Sequence, residues 1–294
     1  MFFAILSDKP EVRERFCKAL GKETGKEDLA FYSLSSGGKT NTLVEPALYP
    51  QKIQPLVYSL YLADYVVVIA EQLTPQIGEI IVALEALKKD RGMLVTSLNL
   101  PIKGTVLERY EKVTDENAAR EKLLAINEEP SPEGELLAFV DKYLSVKSVG
   151  NVAIGAIKEG RIKKHDKIFY LPDKKEMEIR SIQLNDLEVE EAKAGDKFGI
   201  AYKGEPIDRG MVVSLRSEFE NNRNIMGRFQ QSPFFKDDIS RKLHFCYGFN
   251  SVEGNVMENS IALDREMSYR KRDPLLVVDA SNQKLRIVGS FTPI

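Results

Sequence analysis

Hydrophobic and polar positions alternate in two textures along this chain. In the first third, short apolar runs alternate with stretches of helical period. Phe2–Leu6 reads as a buried strand, followed by a helix near Glu11–Leu20 that stops at Gly21. Asp28–Leu34 and Thr42–Glu45 read as short strands around the turn signature Ser35-Ser36-Gly37-Gly38. A helix near Gln51–Ala63, the strand Tyr65–Ala70 and a helix from Thr74 to Lys89 come next, with Thr74-Pro75 as N-cap and N1. Gly92–Thr96 is a further strand, and Glu135–Tyr143 is predicted as a last helix. Strands alternating with helices predict a parallel sheet covered on both faces. From about residue 145 the pattern changes to short β segments, Val149–Ile157, Lys167–Tyr170, Met177–Gln183, Lys197–Tyr202 and Gly210–Ser214, separated by Gly, Asp and Pro turns. Residues 218–294 continue without a helical period, which predicts small barrels or sandwiches. The chain therefore divides into an α/β domain over 1–145 and two all-β domains over 146–217 and 218–294.

Composition narrows the chemistry. The 294 residues are 43% hydrophobic and 29% charged, ordinary for a folded protein, with a net charge of −2. That balance argues against affinity drawn mainly from a strong phosphate-binding field. Residues 1–145 hold 17 basic and 22 acidic side chains, 146–217 hold 14 and 12, and 218–294 hold 11 and 10. The two β domains are thus mildly basic beside an acidic first domain. Cys17 and Cys246 form no CxxC pair, and His165 and His244 are the only histidines, which disfavours a zinc site and histidine-centred catalysis. The opening Met1–Leu6 lacks a positive n-region and reads as a strand, and no apolar run approaches the ~20 residues of a membrane helix. Cytoplasmic residence and no membrane partner are the expectations.

The middle third carries the most specific pattern. Val149-Gly150-Asn151-Val152, Gly155 to Ile162 and Asp166 are followed by Arg180-Ser181-Ile182-Gln183. Glu191-Ala192-Lys193-Ala194-Gly195-Asp196-Lys197-Phe198-Gly199-Ile200-Ala201 and Asp208-Arg209-Gly210 complete the series. These ordered motifs resemble the second domain of translational GTPases of the elongation factor Tu and elongation factor 1-alpha family, nearest the archaeal SelB-like branch. Gln231 to Lys236, Leu243 to Gly248 and Asp273 to Gly289 resemble the third, barrel-forming domain of that branch. The resemblance implies a P-loop-GTPase-like α/β domain followed by two β-barrels. It also implies aminoacyl-tRNA or the ribosome as partners, and other translation proteins beside them.

The nucleotide motifs of that family have decayed. A P-loop, G-x-x-x-x-G-K-[ST], should follow the first strand, where glycines admit the phosphates and the hydroxyl meets Mg²⁺. Here those places hold Ser7, Val12, Arg13 and Glu14. Glu14 is expected to set a carboxylate against phosphate, and Arg13 to keep the charge but lose the compact ammonium. In the counterpart of D-x-x-G-H, Glu45 replaces Asp, Leu48 replaces Gly and Tyr49 replaces His. In the counterpart of the guanine-reading N-K-x-D, Leu100 stands where the carboxylate belongs. Gly37-Gly38-Lys39-Thr40 spells the end of a P-loop but leads into a strand, so it reads as a turn. The expectation is a pseudo-GTPase with no cofactor and no catalytic residue. The alternative is a working GTPase that holds GTP and Mg²⁺ on a non-standard loop through Arg13, Lys9 or Gly38-Lys39. A protein-assembly subunit is a further alternative that fits the acidic first domain.

Candidate RNA contacts are Arg161, Lys163, Lys164 and Lys167 after the first hairpin of the second domain, with Arg180 and Arg209. A solvated hairpin is the simpler explanation of the same basic run. Arg270-Lys271-Arg272 is a similar group, and His165 beside the lysines reads as a surface histidine. Phe234-Phe235 reads as barrel core, and adjacent Asp237-Asp238 point to opposite faces of a strand and make no metal pair.

Overall fold

The computed structural model describes residues 1–36, 39–214 and 218–294. The first sheet runs β2-β3-β4-β1-β5-β6-β7. Its strands are β1 (Phe2–Leu6), β2 (Lys22–Lys26), β3 (Ala30–Ser36), β4 (Lys39–Glu45), β5 (Tyr65–Ile69), β6 (Gly92–Val95) and β7 (Glu111–Val113). The strands β4, β1, β5, β6 and β7 are parallel, and β2 and β3 extend one edge antiparallel. Period-two alternation divides β1 between the faces. Phe2, Ala4 and Leu6 pack with α2 (Gln54–Leu62) and α3 (Pro75–Ala86), while Phe3 and Ile5 pack with α1 (Pro10–Lys18) and α4 (Glu116–Ala125). Thr74 caps α3 as its sequence predicts, accepting the Ile77 amide at 3.2 Å with Pro75 next to it.

The predicted helix over Glu135–Tyr143 is a strand, β8 (Leu137–Val146). Its apolar run is continuous because both faces are buried. Leu137 and Phe139 enter the core shared with the first domain, and Ala138 and Val140 enter the barrel behind it. A run buried on both faces carries no period from which to tell strand from helix. Because β8 pairs with β9 (Gly150–Glu159), the chain leaves the first sheet before residue 137.

The second domain is a barrel in the order β11-β16-β8-β9-β15-β12, closed by pairing of β11 with β12. Its further strands are β10 (Arg161–Lys163), β11 (Lys167–Leu171), β12 (Lys175–Leu184), β13 (Leu187–Val189), β14 (Glu191–Lys193), β15 (Lys197–Gly204) and β16 (Gly210–Val213). The third is a closed six-stranded barrel, β17-β20-β19-β18-β21-β22. It is built from β17 (Phe219–Gln231), β18 (Leu243–Tyr247), β19 (Asn250–Val256), β20 (Ser260–Arg270), β21 (Leu275–Val278) and β22 (Ile287–Pro293). An α/β domain followed by two β-barrels is the architecture the sequence predicts.

The three domains share one apolar cluster running from Phe2 to Phe291. At its centre Phe139 stacks on Phe249 with centroids 5.1 Å apart, and Tyr58 of α2 packs on the same ring at 5.0 Å. Polar clamps surround it. The Tyr61 hydroxyl donates its proton to the Cys246 carbonyl at 2.5 Å, lies 3.0 Å from the Pro274 carbonyl and accepts the Leu276 amide. Lys158 reaches the end of α2 and Asp64, while the neighbouring Glu159 holds Arg270 of the third domain.

Candidate functional site

Ligands of open parallel sheets bind at the carboxyl ends of the strands, so the loop after β1 is the first place to look. Only Ser7, Asp8 and Lys9 separate β1 from α1, and Pro10 already lies in the helix. Val12, Arg13 and Glu14 are therefore helical and do not form a loop. The amides of Val12 and Arg13 turn back onto the Lys9 carbonyl at 3.2 and 3.4 Å. The Ser7 hydroxyl is taken up locally by Asp8 and the Lys9 amide.

Arg13 lies across the mouth of this loop and is fully buried. Nη1 donates to the Ser7 carbonyl at 2.6 Å, and Nη2 donates to the carbonyls of Pro46 at 3.1 Å and Tyr49 at 2.6 Å. Glu45 is its counter-ion, with Nε 3.6 Å from the carboxylate, and the Tyr32 hydroxyl donates to the other carboxylate oxygen at 3.1 Å. Burial pushes the Glu45 carboxyl up, and the guanidinium opposes that shift. The loop after β1 and the segment 46–49 are thus joined by a cation belonging to the chain itself.

The other motif positions are occupied in the same manner. Tyr49 is buried, and its hydroxyl donates to the Gln76 carbonyl at 2.8 Å. Glu14 corrects the expectation of a carboxylate against phosphate: it points away from the loop and pairs with Lys18 at 2.6 Å and Lys26 at 3.0 Å. Leu100 packs against the shared apolar cluster, and its carbonyl accepts the Ile102 amide. Of the sequence that spells a P-loop end, Gly37 and Gly38 lie outside the described residues; Lys39 and Thr40 open strand β4, antiparallel to β3. These residues do not fit a magnesium nucleotide. The Val12 and Arg13 amides are spent on the Lys9 carbonyl, and the Arg13 guanidinium joins the Ser7 carbonyl to those of Pro46 and Tyr49.

The RNA-contact candidates are scattered over the second barrel, and acids accompany each of them. Arg161 and Lys163 lie beside Glu191 at 3.9 and 3.7 Å, and Lys164 beside Glu188 and Glu190. Lys167 pairs with Glu176 at 3.0 Å and Arg180 with Glu178 at 3.8 Å. All but Lys164 and Arg209 are strongly exposed. Arg209 faces inward, where it bridges Asp28 of the first domain at 2.7 Å and Asp141 of β8 at 2.9 Å over the Tyr58 ring. It is an interdomain tie.

Sequence reading missed a groove of about 610 Å³ between the β2–β3 edge and the second barrel. One wall carries Lys22 and Thr24; the other carries Val146, Val149, Gln183 and Asn185. Val149 is 55% exposed, an unusual position for an apolar side chain that lines a concavity. Lys197 closes the floor, donating to the Thr24 carbonyl at 2.7 Å and lying over Phe31. The signal in the sequence was the exposed pair of valines in an otherwise polar loop, which has meaning only once β2 stands opposite.

Residues 150–214 match the family Elongation factor Tu domain 2. The uncharacterized protein MJ0325 of Methanocaldococcus jannaschii is 31% identical over 290 residues, covering 92% of this chain and 94% of that protein. This chain belongs to the MJ0325 family. The selenocysteine-specific elongation factor of the same organism is 33% identical, but the match covers 47% of this chain and 30% of that factor. Elongation factor 1-alpha of Nanoarchaeum equitans is 30% identical over 37% of this chain and 24% of its own length. Among solved structures, elongation factor SelB of Methanococcus maripaludis in complex with the GTP analogue GPPNHP superposes with a TM-score of 0.82 at 19% identity. That match covers 100% of this chain and 78% of the SelB chain.

The MJ0325-family chain therefore resembles translational GTPases in all three domains, with sequence similarity to the elongation factors confined to part of its length. Among the described residues no group of three or more His, Cys, Asp or Glu is placed to hold a metal ion. No described helix is long and apolar enough to cross a membrane.

Proposed function

We propose that this member of the MJ0325 family works without nucleotide, as a binding protein of the translation apparatus that holds aminoacyl-tRNA or docks on the ribosome through its second and third domains. The observation that carries the first half is Arg13. A fully buried guanidinium whose Nη1 and Nη2 are held by three backbone carbonyls, with the Glu45 carboxylate as counter-ion 3.6 Å from Nε, supports a loop closed to phosphate. To bind GTP the chain would have to expel that cation into water and leave Glu45 buried without its partner, a loss of several kcal/mol. Leu100 in the apolar cluster adds the lack of a partner for a guanine edge.

The match of residues 150–214 to an elongation-factor domain, together with the SelB-like fold, supports a partner drawn from translation. The groove beside β2 supports an RNA end as the element held. Its exposed valines offer a flat apolar surface, Gln183 and Asn185 offer amide donors and acceptors, and Lys22 stands at the rim. The acid-paired hairpin of Arg161–Lys167 supports a weak electrostatic contribution.

Calorimetry with GDP and GTP in the presence of Mg²⁺ tests the first half, and no binding heat is expected. A micromolar dissociation constant that weakens in Arg13→Lys would overturn it. A salt titration of tRNA binding tests the second half. The expected outcome is measurable binding at low salt with a shallow dependence, and a Val149→Asp variant should lose it. Absence of binding at low salt removes the tRNA partner.

A further inference from the structure

Tyr49 sits between two guanidiniums. The Arg13 group lies 5.9 Å from its ring centroid and the Arg286 group, from the third domain, 5.7 Å. We infer that Arg13 fixes the third domain on the first, acting through Tyr49 and the interdomain clamp made by Arg286. This goes beyond the absence of nucleotide: it shares the Arg13 contacts to Pro46 and Tyr49 with that reading and adds those of Arg286 with Tyr49, Pro50 and Glu79.

The connection can be followed bond by bond. Arg13 holds the segment Pro46–Tyr49 by two of its carbonyls. The next carbonyl, Pro50, accepts Arg286 Nη1 at 2.8 Å. Arg286 also donates through Nε and Nη2 to the two oxygens of Glu79 at 3.0 and 2.5 Å, and its backbone amide reaches Glu79 Oε1 at 2.9 Å. Glu79 is buried on α3, one turn beyond Gln76, whose carbonyl accepts the Tyr49 hydroxyl. The Arg286 carbonyl in turn accepts the Asp279 amide inside the third barrel. The seat of Arg286 is therefore assembled from Pro50, Tyr49 and Glu79, and Arg13 positions the first two.

Beside this clamp the two domains are separated by a cleft of about 630 Å³, lined by Pro50, Gln76, Glu79, Asn282 and Arg286. Behind the cleft the apolar cluster that includes Tyr49, Ile287 and Val288 packs the two domains together, and the polar contacts of Arg286 hold its edge. Removing Arg13 leaves the Ser7 and Tyr49 carbonyls without that donor and Glu45 without its counter-ion, while Pro46 keeps only the local bond from the Tyr49 amide. Pro50 and the Tyr49 ring then move, and the third domain loses its grip on α3. Arg13 is a positioning residue in this scheme.

Two amides donated across the domain boundary report the effect: Arg286 to Glu79, and Leu276 to the Tyr61 hydroxyl. Hydrogen exchange is measured on the full chain carrying Arg13→Lys, whose single ammonium does not span three carbonyls. Both amides are expected to exchange at least about tenfold faster, the change that ~1.4 kcal/mol of interface opening produces. Amides of the β18–β19 ladder inside the third barrel should be unaffected. Acceleration confined to residues 7–13 and 46–50 would overturn the inference. Arg286→Gln leaves the Arg13 loop intact, and it should release Leu276 by itself. If Leu276 stays protected in that variant, the clamp is not what docks the domain, even where Arg13→Lys unfolds the chain.

Discussion

Arg209→Met separates an interdomain tie from a nucleic-acid contact. In the native chain Arg209 makes two charge-assisted hydrogen bonds, to Asp28 Oδ2 and to the Asp141 carbonyl, and an ion pair with the Asp141 carboxylate at 2.9 Å, with its guanidinium over Tyr58. Breaking a fully buried ion pair by removing one partner costs about 3–5 kcal/mol. The Arg209 side chain is 28% exposed and Asp28 retains Lys52, so solvent screening reduces the figure to about 2–3 kcal/mol. The loss should also depend on pH. Burial already pushes the Asp141 carboxyl up, and Arg209 is the largest influence pulling it down. Without the guanidinium the folded-state value rises further above the unfolded one. A carboxyl raised in this way binds its proton more tightly when folded, so stability falls as pH rises through its range. The deficit of Arg209→Met should therefore be larger at pH 8 than at pH 5. Urea unfolding at the two values measures it, and Asp141→Asn in the Arg209→Met background should recover at least about 1 kcal/mol at pH 8. A deficit under about 0.5 kcal/mol, independent of pH, would rule out Arg209 as an interdomain tie. An RNA contact would instead appear as lost tRNA affinity at unchanged stability.

Two further outcomes follow from buried groups. Lys89 donates to the Ala63 carbonyl, with Lys158 as a like charge and Asp64 and Asp273 as the opposing ones, and burial brings it from 10.5 down to about 7. Between those values the unfolded chain binds the extra proton, so this group makes stability rise from pH 7 toward 10. Lys89→Met should remove that slope, gaining on the order of 2 kcal/mol more at pH 6.5 than at pH 9.5 in denaturant titrations. Gly248 has φ +56°, and a Cβ there would lie 2.3 Å from Phe139 Cε1 in the ring stack joining the second and third domains. Gly248→Ala should cost about 2–4 kcal/mol by overpacking and left-handed strain, read as a lowered urea midpoint.

The α/β-then-barrels order was legible because the first four parallel strands and the turns of the second domain obey local rules. Phe2–Leu6 and Tyr65–Ile69 are apolar runs of strand length, and Thr74-Pro75 is a cap whose chemistry is complete within four residues. What was missed has little local signal. Helix α4 buries only Ala119 and Leu123, so it shows no apolar stripe, although Asp115 caps it with two amides. Strand β2 is polar along its length and gains its place from the hairpin with β3. At the nucleotide loop the sequence showed which residues were lost and not what replaced them. The distance from Arg13 to Pro46 and Tyr49 is a tertiary fact, as is the turning of Glu14 toward Lys26. Likewise, Arg209 looked like one more basic residue of an elongation-factor motif until Asp28, far back in the chain, was brought to it.

The apolar cluster common to all three domains bears on how the chain is made. Its members begin at Phe2 and end at Phe291, and Tyr58, Phe139 and Phe249 meet at its centre. A first domain emerging from a ribosome completes its inner face, where α1 and α4 lie, from its own residues. Its outer face, under α2 and α3, is left with an apolar border until the last strand has been synthesised. The nascent chain therefore presents that border to solvent or chaperone until the third barrel has been made, and a chain truncated after the second barrel presents it permanently. Three modules in architecture thus amount to a single unit in assembly, in which the third barrel covers the face that the first leaves open.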